Sequence, residues 1–463
     1  MKKIIHKYIG DRAFYAMVLG VVVPIMVQNG ITNFVGLLDN IMVGRIGTEQ
    51  MSGIAIVNQL LLVFNLAIFG AISGAGIFGA QYYGCRDNKG VQHTFRYKLY
   101  ICLLLVMVGI LLFLFAGENL IMLYLHGEGN DAALTSTLKY GKEYLLVMLF
   151  GLLPFGLESA YSGTLRECGE TMVPMKAGVV AVFVNLVLNY LLIFGKFGCP
   201  ELGVTGAAIA TVISRYVQVA IVIAWTHTHG NRMAFIEGVY KEWKIPSNLV
   251  AKITIKGTPL MINEILWAAG MATLMQCYSI RGLEVVAGLN ISSTITNLFN
   301  VVFMSMGNAV AIIVGQLLGA GKTEEAKETD AQLIAFSVAS CVVLGAILIV
   351  LAPLFPKMYN TSAEAKRLAT EFIRVGAGCM PLYAFLHAAY FTLRSGGKTI
   401  ITFLFDSVYL WCLSIPLAFV LSRFTGMNIV PLYLCCQLID IVKCIIGFVL
   451  VKKGVWINNI VED

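Results

Sequence analysis

Apolar segments long enough to cross a lipid bilayer follow one another along almost the whole chain. A bilayer core of about 30 Å takes roughly 20 helical residues. We find twelve such segments, from Phe14–Leu38 near the start to Ile429–Val451 near the end. Charged residues make up 13% of the 463 residues, against about 25% in an average soluble domain. The pattern predicts an all-α, polytopic membrane protein with twelve transmembrane helices.

The chain has an excess of basic residues and a net charge of +7, which raises the question of a nucleic acid partner. They lie singly in short loops between apolar segments, whereas nucleic acid binding needs them clustered on one face. We therefore expect no nucleic acid partner. Most of the Lys and Arg residues fall on the side that holds both termini, and the positive-inside rule places that side in the cytoplasm. The expected location is the cytoplasmic (inner) membrane.

The two halves of the chain repeat each other at a constant offset of 235 residues. Chance matching of apolar residues does not explain the aligned pairs, which are Pro24 with Pro259, Gly47 with Gly282, Glu49 with Glu284, Asn65 with Asn300, Gln81 with Gln316 and Gly84 with Gly319. An offset of 228 aligns Thr164-Leu165-Arg166 with Thr392-Leu393-Arg394. The chain is therefore predicted to have arisen by duplication.

The repeat predicts an N-terminal six-helix lobe over residues 1–226, a cytoplasmic linker over 227–252 and a C-terminal six-helix lobe over 253–463. Because six spans separate equivalent positions, both halves enter the membrane in the same direction. Two pseudo-symmetric lobes of this kind are expected to flank a central cleft. Since rocking of two lobes around a central site is the physical form of alternating access, the repeat favours a secondary transporter over a channel.

Asp39 is a single carboxylate at the end of the first apolar segment. An acid at membrane depth costs about 2.5 to 3.5 kcal/mol on insertion scales, so it generally faces a cavity or a partner and takes part in ion or proton traffic. The alternative is that Asp39 only ends its helix near the interface. Asn185 and Asn189 in the fifth segment are four residues apart and share a helix face. Their amides can coordinate a cation or bond to Asp39, or they can simply join two helices.

The sequence lacks the residue clusters that an enzyme would need. The six histidines are dispersed, and no complete Gly-x-x-x-x-Gly-Lys-Ser/Thr phosphate loop is present. We expect no catalytic residues, no bound metal and no cofactor, with H+ or Na+ acting only as a coupling ion. The glycines of the second segment, Gly70, Gly74, Gly76 and Gly79, are predicted to serve helix packing.

Five motifs stand out along the chain, namely Asp39 within Leu38–Gly47, Gln81-Tyr82-Tyr83-Gly84, Leu165-Arg166, Asn185–Gly195 and Gly203–Ser214. Together they resemble the multidrug and toxic compound extrusion (MATE) family. The resemblance covers essentially the whole chain. It implies two six-helix lobes and the outward extrusion of organic cations or related amphipathic drugs by antiport against Na+ or H+.

The resemblance also implies a cation-coupling site in the N-terminal lobe. Asp39 matches the acid of the family's first helix, Asn185 the amide of the fifth helix and Thr211 a hydroxyl of the sixth helix. Asn189 stands where some members carry a second acid. Fewer negative charges are then available to hold sodium, which favours protons.

In the C-terminal lobe, the expected substrate-cleft residues are Glu264, Tyr383 and His387. Glu264 resembles the family's seventh-helix acid, and Tyr383 stands near the place of a tenth-helix aspartate. A lipid-linked oligosaccharide flippase of the same superfamily is the alternative, and it would need a more basic cavity or additional spans. We expect a monomer surrounded by membrane lipids, with small organic cations as its ligands.

Overall fold

The computed structural model describes residues 8–125 and 131–462 of the chain, apart from the side chains of 35–41 and 131. All regular elements in these ranges are helical. The first half contains α1 Arg12–Gly44, α2 Thr48–Gly84, α3 Asn88–Tyr124, α4 Asp131–Met148, α5 Leu152–Glu167, α6 Met172–Phe194 and α7 Gly203–Thr228. The second half contains α8 Ser247–Ser279, α9 Leu283–Gly319, α10 Thr323–Leu351, α11 Ala363–Ser395, α12 Thr399–Phe403, α13 Ile415–Phe424, α14 Ile429–Leu438 and α15 Asp440–Lys452. The prediction of an all-α protein is confirmed.

Short turns join some of these helices into longer stretches. A 3-10 turn, Leu149–Gly151, links α4 to α5. Two π-helical turns, Leu404–Val408 and Leu410–Ser414, link α12 to α13. With these joints included, the described residues contain eleven helical stretches long and apolar enough to cross a membrane. The chain is therefore a multi-pass membrane protein.

The predicted seventh span corresponds to α8, which is not among the eleven apolar stretches. The helix is 33 residues long, so its length suffices for a span. It carries Lys252, Lys256 and Glu264, which lower its hydropathy. The twelve predicted spans are thus all present as helices, and α8 is the one whose hydropathy is too low to count among the apolar stretches.

The duplication is visible in the helix limits. Helices α1 and α8 both have 33 residues, and helices α2 and α9 both have 37. In each pair the first and last residues differ in number by the repeat offset of 235. Each half therefore begins with the same two helices, as the aligned sequence pairs predicted.

Contacts between backbone positions divide the chain into two compact units. We call the unit made of Val27–Gly79 and Asp87–Met261 the N unit. The C unit contains the described residues up to Met26, Ala80–Arg86, and the chain from Ile262 onward. The predicted lobes, 1–226 and 253–463, divide the chain by its sequence repeat rather than by contacts. Those boundaries stay a prediction.

In the N unit, the segment after α7 is held along one face of α3. Gln92 Nε2 donates to the Glu237 carbonyl at 2.7 Å, Arg96 Nε to the Val239 carbonyl at 2.8 Å, and the Tyr100 hydroxyl to the Trp243 carbonyl at 3.0 Å. The three donors are four residues apart in turn, so they share a helix face. The predicted linker 227–252 is therefore packed against α3 rather than free. We call this segment the strap.

In the C unit, the ends of α2 and α9 pack against each other through the aligned Gln and Gly residues. A Cβ added at Gly84 would lie 2.0 Å from the Gln316 carbonyl oxygen, and one at Gly319 would lie 1.9 Å from that of Gln81. Such close backbone approach requires glycine at both positions. The Gln81 side chain, which is 0% exposed, donates to the Ser395 carbonyl at 3.0 Å. The repeated motif thus makes a reciprocal helix contact.

Candidate cation and substrate sites

Asp39 lies within α1, but its side chain falls outside the described residues. Its predicted partners form a compact polar cluster inside the N unit. Asn189 Nδ2 donates to Asn185 Oδ1 at 3.1 Å, and Asn185 Nδ2 donates to Thr211 Oγ1 at 3.3 Å. Both asparagines are buried, at 5% and 1% exposure. The structure therefore brings together three of the four predicted coupling residues.

The geometry of this cluster follows from helix spacing. Asn185 and Asn189 occupy adjacent turns of α6, so the second amide reaches the first. Thr211 of α7 donates its own hydroxyl proton to the Ala207 carbonyl at 3.0 Å, which leaves its oxygen to accept from Asn185. The cluster joins two helices and also presents amide oxygens, which are suitable ligands for a small hard cation. Its role in coupling stays a prediction.

The N unit also contains a buried ion pair that sequence reasoning missed. Lys98 of α3 is 0% exposed and donates to Glu167 of α5 at 2.5 Å and to Thr164 Oγ1 at 3.0 Å. Gly76 and Gly79 of α2 make room for this pair, since a Cβ at either position would lie 2.7 or 2.2 Å from a Glu167 carboxylate oxygen. Two of the predicted packing glycines therefore accommodate a charge rather than an apolar neighbour.

In the C unit, five polar side chains from α8, α11, α15 and the first π-helical turn form one hydrogen-bonded chain. Lys443 Nζ donates to Asp406 Oδ1 at 2.7 Å. Asn263 Nδ2 donates to Asp406 Oδ2 at 3.1 Å and to the Tyr390 hydroxyl oxygen at 3.3 Å. The Tyr390 hydroxyl donates to Glu264 Oε1 at 3.5 Å, which is long for a hydrogen bond. We call these five residues the C-unit chain.

The charges in the C-unit chain are partly shielded from solvent. The side chains of Lys443 and Asp406 are 12% and 19% exposed, and Asn263 is 1% exposed. The Lys443 ammonium also lies 5.2 Å from the centre of the Phe405 ring. Asp406 is carried by a π-helical turn, a rare element that occurs often at functional sites. The chain therefore concentrates charge in an otherwise apolar bundle, as transport sites do.

The other two predicted substrate-cleft residues lie on α11 near the C-unit chain. His387 packs between the rings of Phe303 and Phe391, at centroid distances of 5.4 and 5.2 Å. The Tyr383 hydroxyl donates to Gln437 Oε1 at 2.7 Å. Neither side chain is a member of the C-unit chain. Tyr383 and His387 are four residues apart and so follow one face of the helix. Their role in a substrate cleft stays a prediction.

Sequence reasoning named Glu264 as a cleft residue, but it did not place the other four members of the C-unit chain beside it. Lys443 could have been recognised from the sequence, because it is a basic residue within the last apolar segment. Asp330 was also missed; it is 1% exposed and accepts a 2.5 Å hydrogen bond from Thr392. Among the described residues, no group of three or more His, Cys, Asp and Glu side chains could hold a metal ion.

Comparison with known proteins identifies the family of this chain. The sequence model of the MatE family matches residues 24–191 and again residues 259–420. The two matches begin at Pro24 and Pro259, the prolines that the repeat aligns. The chain belongs to the MatE family. The resemblance inferred from its motifs is therefore confirmed.

Curated relatives cover most of the chain. A protein of Thermotoga maritima named as the probable multidrug resistance protein NorM is 26% identical over 421 residues, which are 88% of this chain and 85% of that protein. A Bacillus subtilis protein named as the probable multidrug resistance protein YoeA is 24% identical over 427 residues, with 89% and 88% covered.

Solved structures of MatE-type proteins share the fold. An outward-facing multidrug resistance MATE family transporter of the MOP superfamily superposes with a TM-score of 0.84 at 19% identity, and 98% of each chain is covered. A MOP superfamily transporter from Pyrococcus furiosus, described as having a binding pocket of reverse polarity, gives a TM-score of 0.86 at 18% identity and 98% coverage of each chain. The two-lobe fold predicted from the repeat is confirmed.

Proposed function

We propose that this MatE protein is a secondary antiporter that extrudes organic cations or related amphipathic drugs in exchange for H+ or Na+. Family membership supports transport, and the relatives named as multidrug resistance proteins support drugs as the substrate class. The observation that carries the proposal is the pair of acidic positions Asp39 in α1 and Glu264 in α8, one in each half of the chain.

Coupling is assigned to the N-terminal half. Asp39 would take up the driving ion, with Asn185, Asn189 and Thr211 as neutral oxygen and amide partners. Sodium is favoured by several converging oxygen ligands and by net negative charge, whereas a proton needs only one accessible carboxylate. Because Asn189 supplies no charge, we propose H+ as the driving ion.

Substrate binding is assigned to the C-terminal half. Glu264 is half-buried and would serve as the counter-charge for an organic cation. The rings around His387 offer polarizable faces, and cations are attracted to aromatic faces within about 6 Å. Tyr383 and His387, both on α11, would then line the path of an organic cation with large apolar groups.

The cytoplasmic membrane is the proposed location, with both termini and the strap after α7 on the cytoplasmic side. The charge asymmetry of the loops supports this orientation. Reporter domains fused after Lys452 and within residues 229–246 test it, because an extracellular signal from either fusion contradicts the assigned orientation.

The substrate assignment is tested in cells that export ethidium. Glu264→Gln removes the counter-charge while keeping the size of the side chain, so we expect ethidium export to fall at least about five-fold, the effect of losing roughly 1 kcal/mol of interaction. Glu284→Gln, at an exposed acid of α9, is the matched control and should leave export unchanged. Export by Glu264→Gln at the wild-type rate contradicts the substrate role of Glu264.

A further inference from the structure

The direction of the hydrogen bonds in the C-unit chain is fixed by Ser407. The backbone N–H of Ser407 can only donate, and it points to Asn263 Oδ1 at 3.3 Å. The Ser407 hydroxyl donates to the same oxygen at 2.7 Å. The Asn263 amide oxygen must therefore face Ser407, and its NH2 group must face Asp406 and Tyr390.

This orientation makes the Tyr390 hydroxyl a hydrogen-bond donor to Glu264. Its oxygen accepts an N–H of the Asn263 amide at 3.3 Å, so the hydroxyl proton must be donated to another group. Its single proton is directed to Glu264 Oε1. Tyr390 is only 8% exposed, so water competes little for that proton.

The far end of the chain holds Asn263 in place. Asp406 accepts the second N–H of the Asn263 amide, and Lys443 balances the charge of Asp406. A buried carboxylate without such a cation is strongly disfavoured, because burial removes its hydration. The ion pair thus keeps an acceptor in position for Asn263, and Asn263 keeps Tyr390 turned towards Glu264.

We propose that Tyr390 is a positioning residue for Glu264, and that the Asp406–Lys443 pair sets its direction through Asn263. Bonding to Oε1 orients the Glu264 carboxylate and leaves Oε2 for a bound organic cation. The 3.5 Å separation shortens when the cation binds, as hydrogen bonds at functional sites often tighten in the bound state. This inference rests on the proposed role of Glu264 as the substrate counter-charge.

A double-mutant cycle on purified protein in detergent tests the inference, with ethidium binding followed by fluorescence anisotropy. Tyr390→Phe keeps the ring and removes the proton donor, so we expect the Kd for ethidium to rise about five-fold. In the Glu264→Gln background the same substitution should change Kd by less than about two-fold, because Tyr390 acts through Glu264. A residue that only supports the fold would weaken binding equally in both backgrounds.

Two further variants complete the experiment. Tyr409→Phe is the matched control, since the hydroxyl of this buried tyrosine donates to the Ile439 carbonyl at 2.7 Å and not to Glu264. It should leave Kd unchanged. Asp406→Leu with Lys443→Met removes the anchoring pair at constant net charge, and its effect on Kd should also vanish in the Glu264→Gln background.

The outcomes separate this inference from the proposed function. Equal losses of affinity for Tyr390→Phe with and without Glu264 overturn the positioning role while leaving Glu264 as the counter-charge. Wild-type affinity in Glu264→Gln removes the counter-charge role and the positioning role with it. Neither result bears on coupling at Asp39, because the binding is measured at equilibrium without an ion gradient.

Discussion

Lys98 and Glu167 show how a charge is kept inside an apolar bundle. Lys98 also donates a hydrogen bond to Thr164, and the pair lies where two glycines of α2 leave space. Removing one partner leaves a buried charge uncompensated, which costs about 3–5 kcal/mol, whereas replacing both partners by apolar side chains is often nearly neutral. Losing one partner of the pair should therefore lower the free energy of unfolding more than losing both.

We accordingly expect Lys98→Met to lower the melting temperature of the purified protein strongly, and Lys98→Met with Glu167→Leu to recover most of that loss. The control is Lys142→Met, which breaks an ion pair to Glu118 whose side chains are 49% and 47% exposed. An exposed pair contributes about 0–1 kcal/mol, so this variant should melt near the wild-type temperature. Equal losses for Lys98→Met and Lys142→Met would contradict the account.

At the scale of the helix, the repeated Gln and Gly residues at the ends of α2 and α9 set how closely these elements pack. A methyl group at Gly84 or Gly319 would overlap a carbonyl oxygen of the other helix, and backbone cannot move aside as a flexible side chain can. Introducing volume into a tightly packed contact costs about 1–3 kcal/mol.

Gly84→Ala and Gly319→Ala should therefore each destabilise the purified protein, by similar amounts because the contact is reciprocal. Gly378→Ala is the matched control in the same unit, since a Cβ at this position of α11 meets nothing within 4 Å. Alanine there should be neutral or slightly stabilising, because glycine inside a helix is about 0.5–1 kcal/mol worse than alanine. Thermal unfolding in detergent measures all three.

Local patterns in the sequence predicted much of this structure. Apolar segment length and the 235-residue offset predicted the helices and their duplication, and the spacing of Asn185 and Asn189 predicted that they share one helix face. The C-unit chain was not predictable in the same way, because Asn263 meets Asp406 across 143 residues of sequence and Tyr390 across 127. Periodicity reports which face of a helix is polar, but not which helix lies opposite.

At the scale of the whole molecule, we propose that a cation gradient drives drug export through Asp39. Ethidium uptake into inverted membrane vesicles measures this directly, with vesicles loaded either with acid or with Na+ at constant pH. Wild-type protein should accumulate ethidium when the lumen is acidic, whereas Asp39→Asn, inserted at the same level, should accumulate no more than vesicles without the protein. Two results would contradict this claim. One is uptake by Asp39→Asn at the wild-type rate, and the other is wild-type uptake that is the same with and without either gradient.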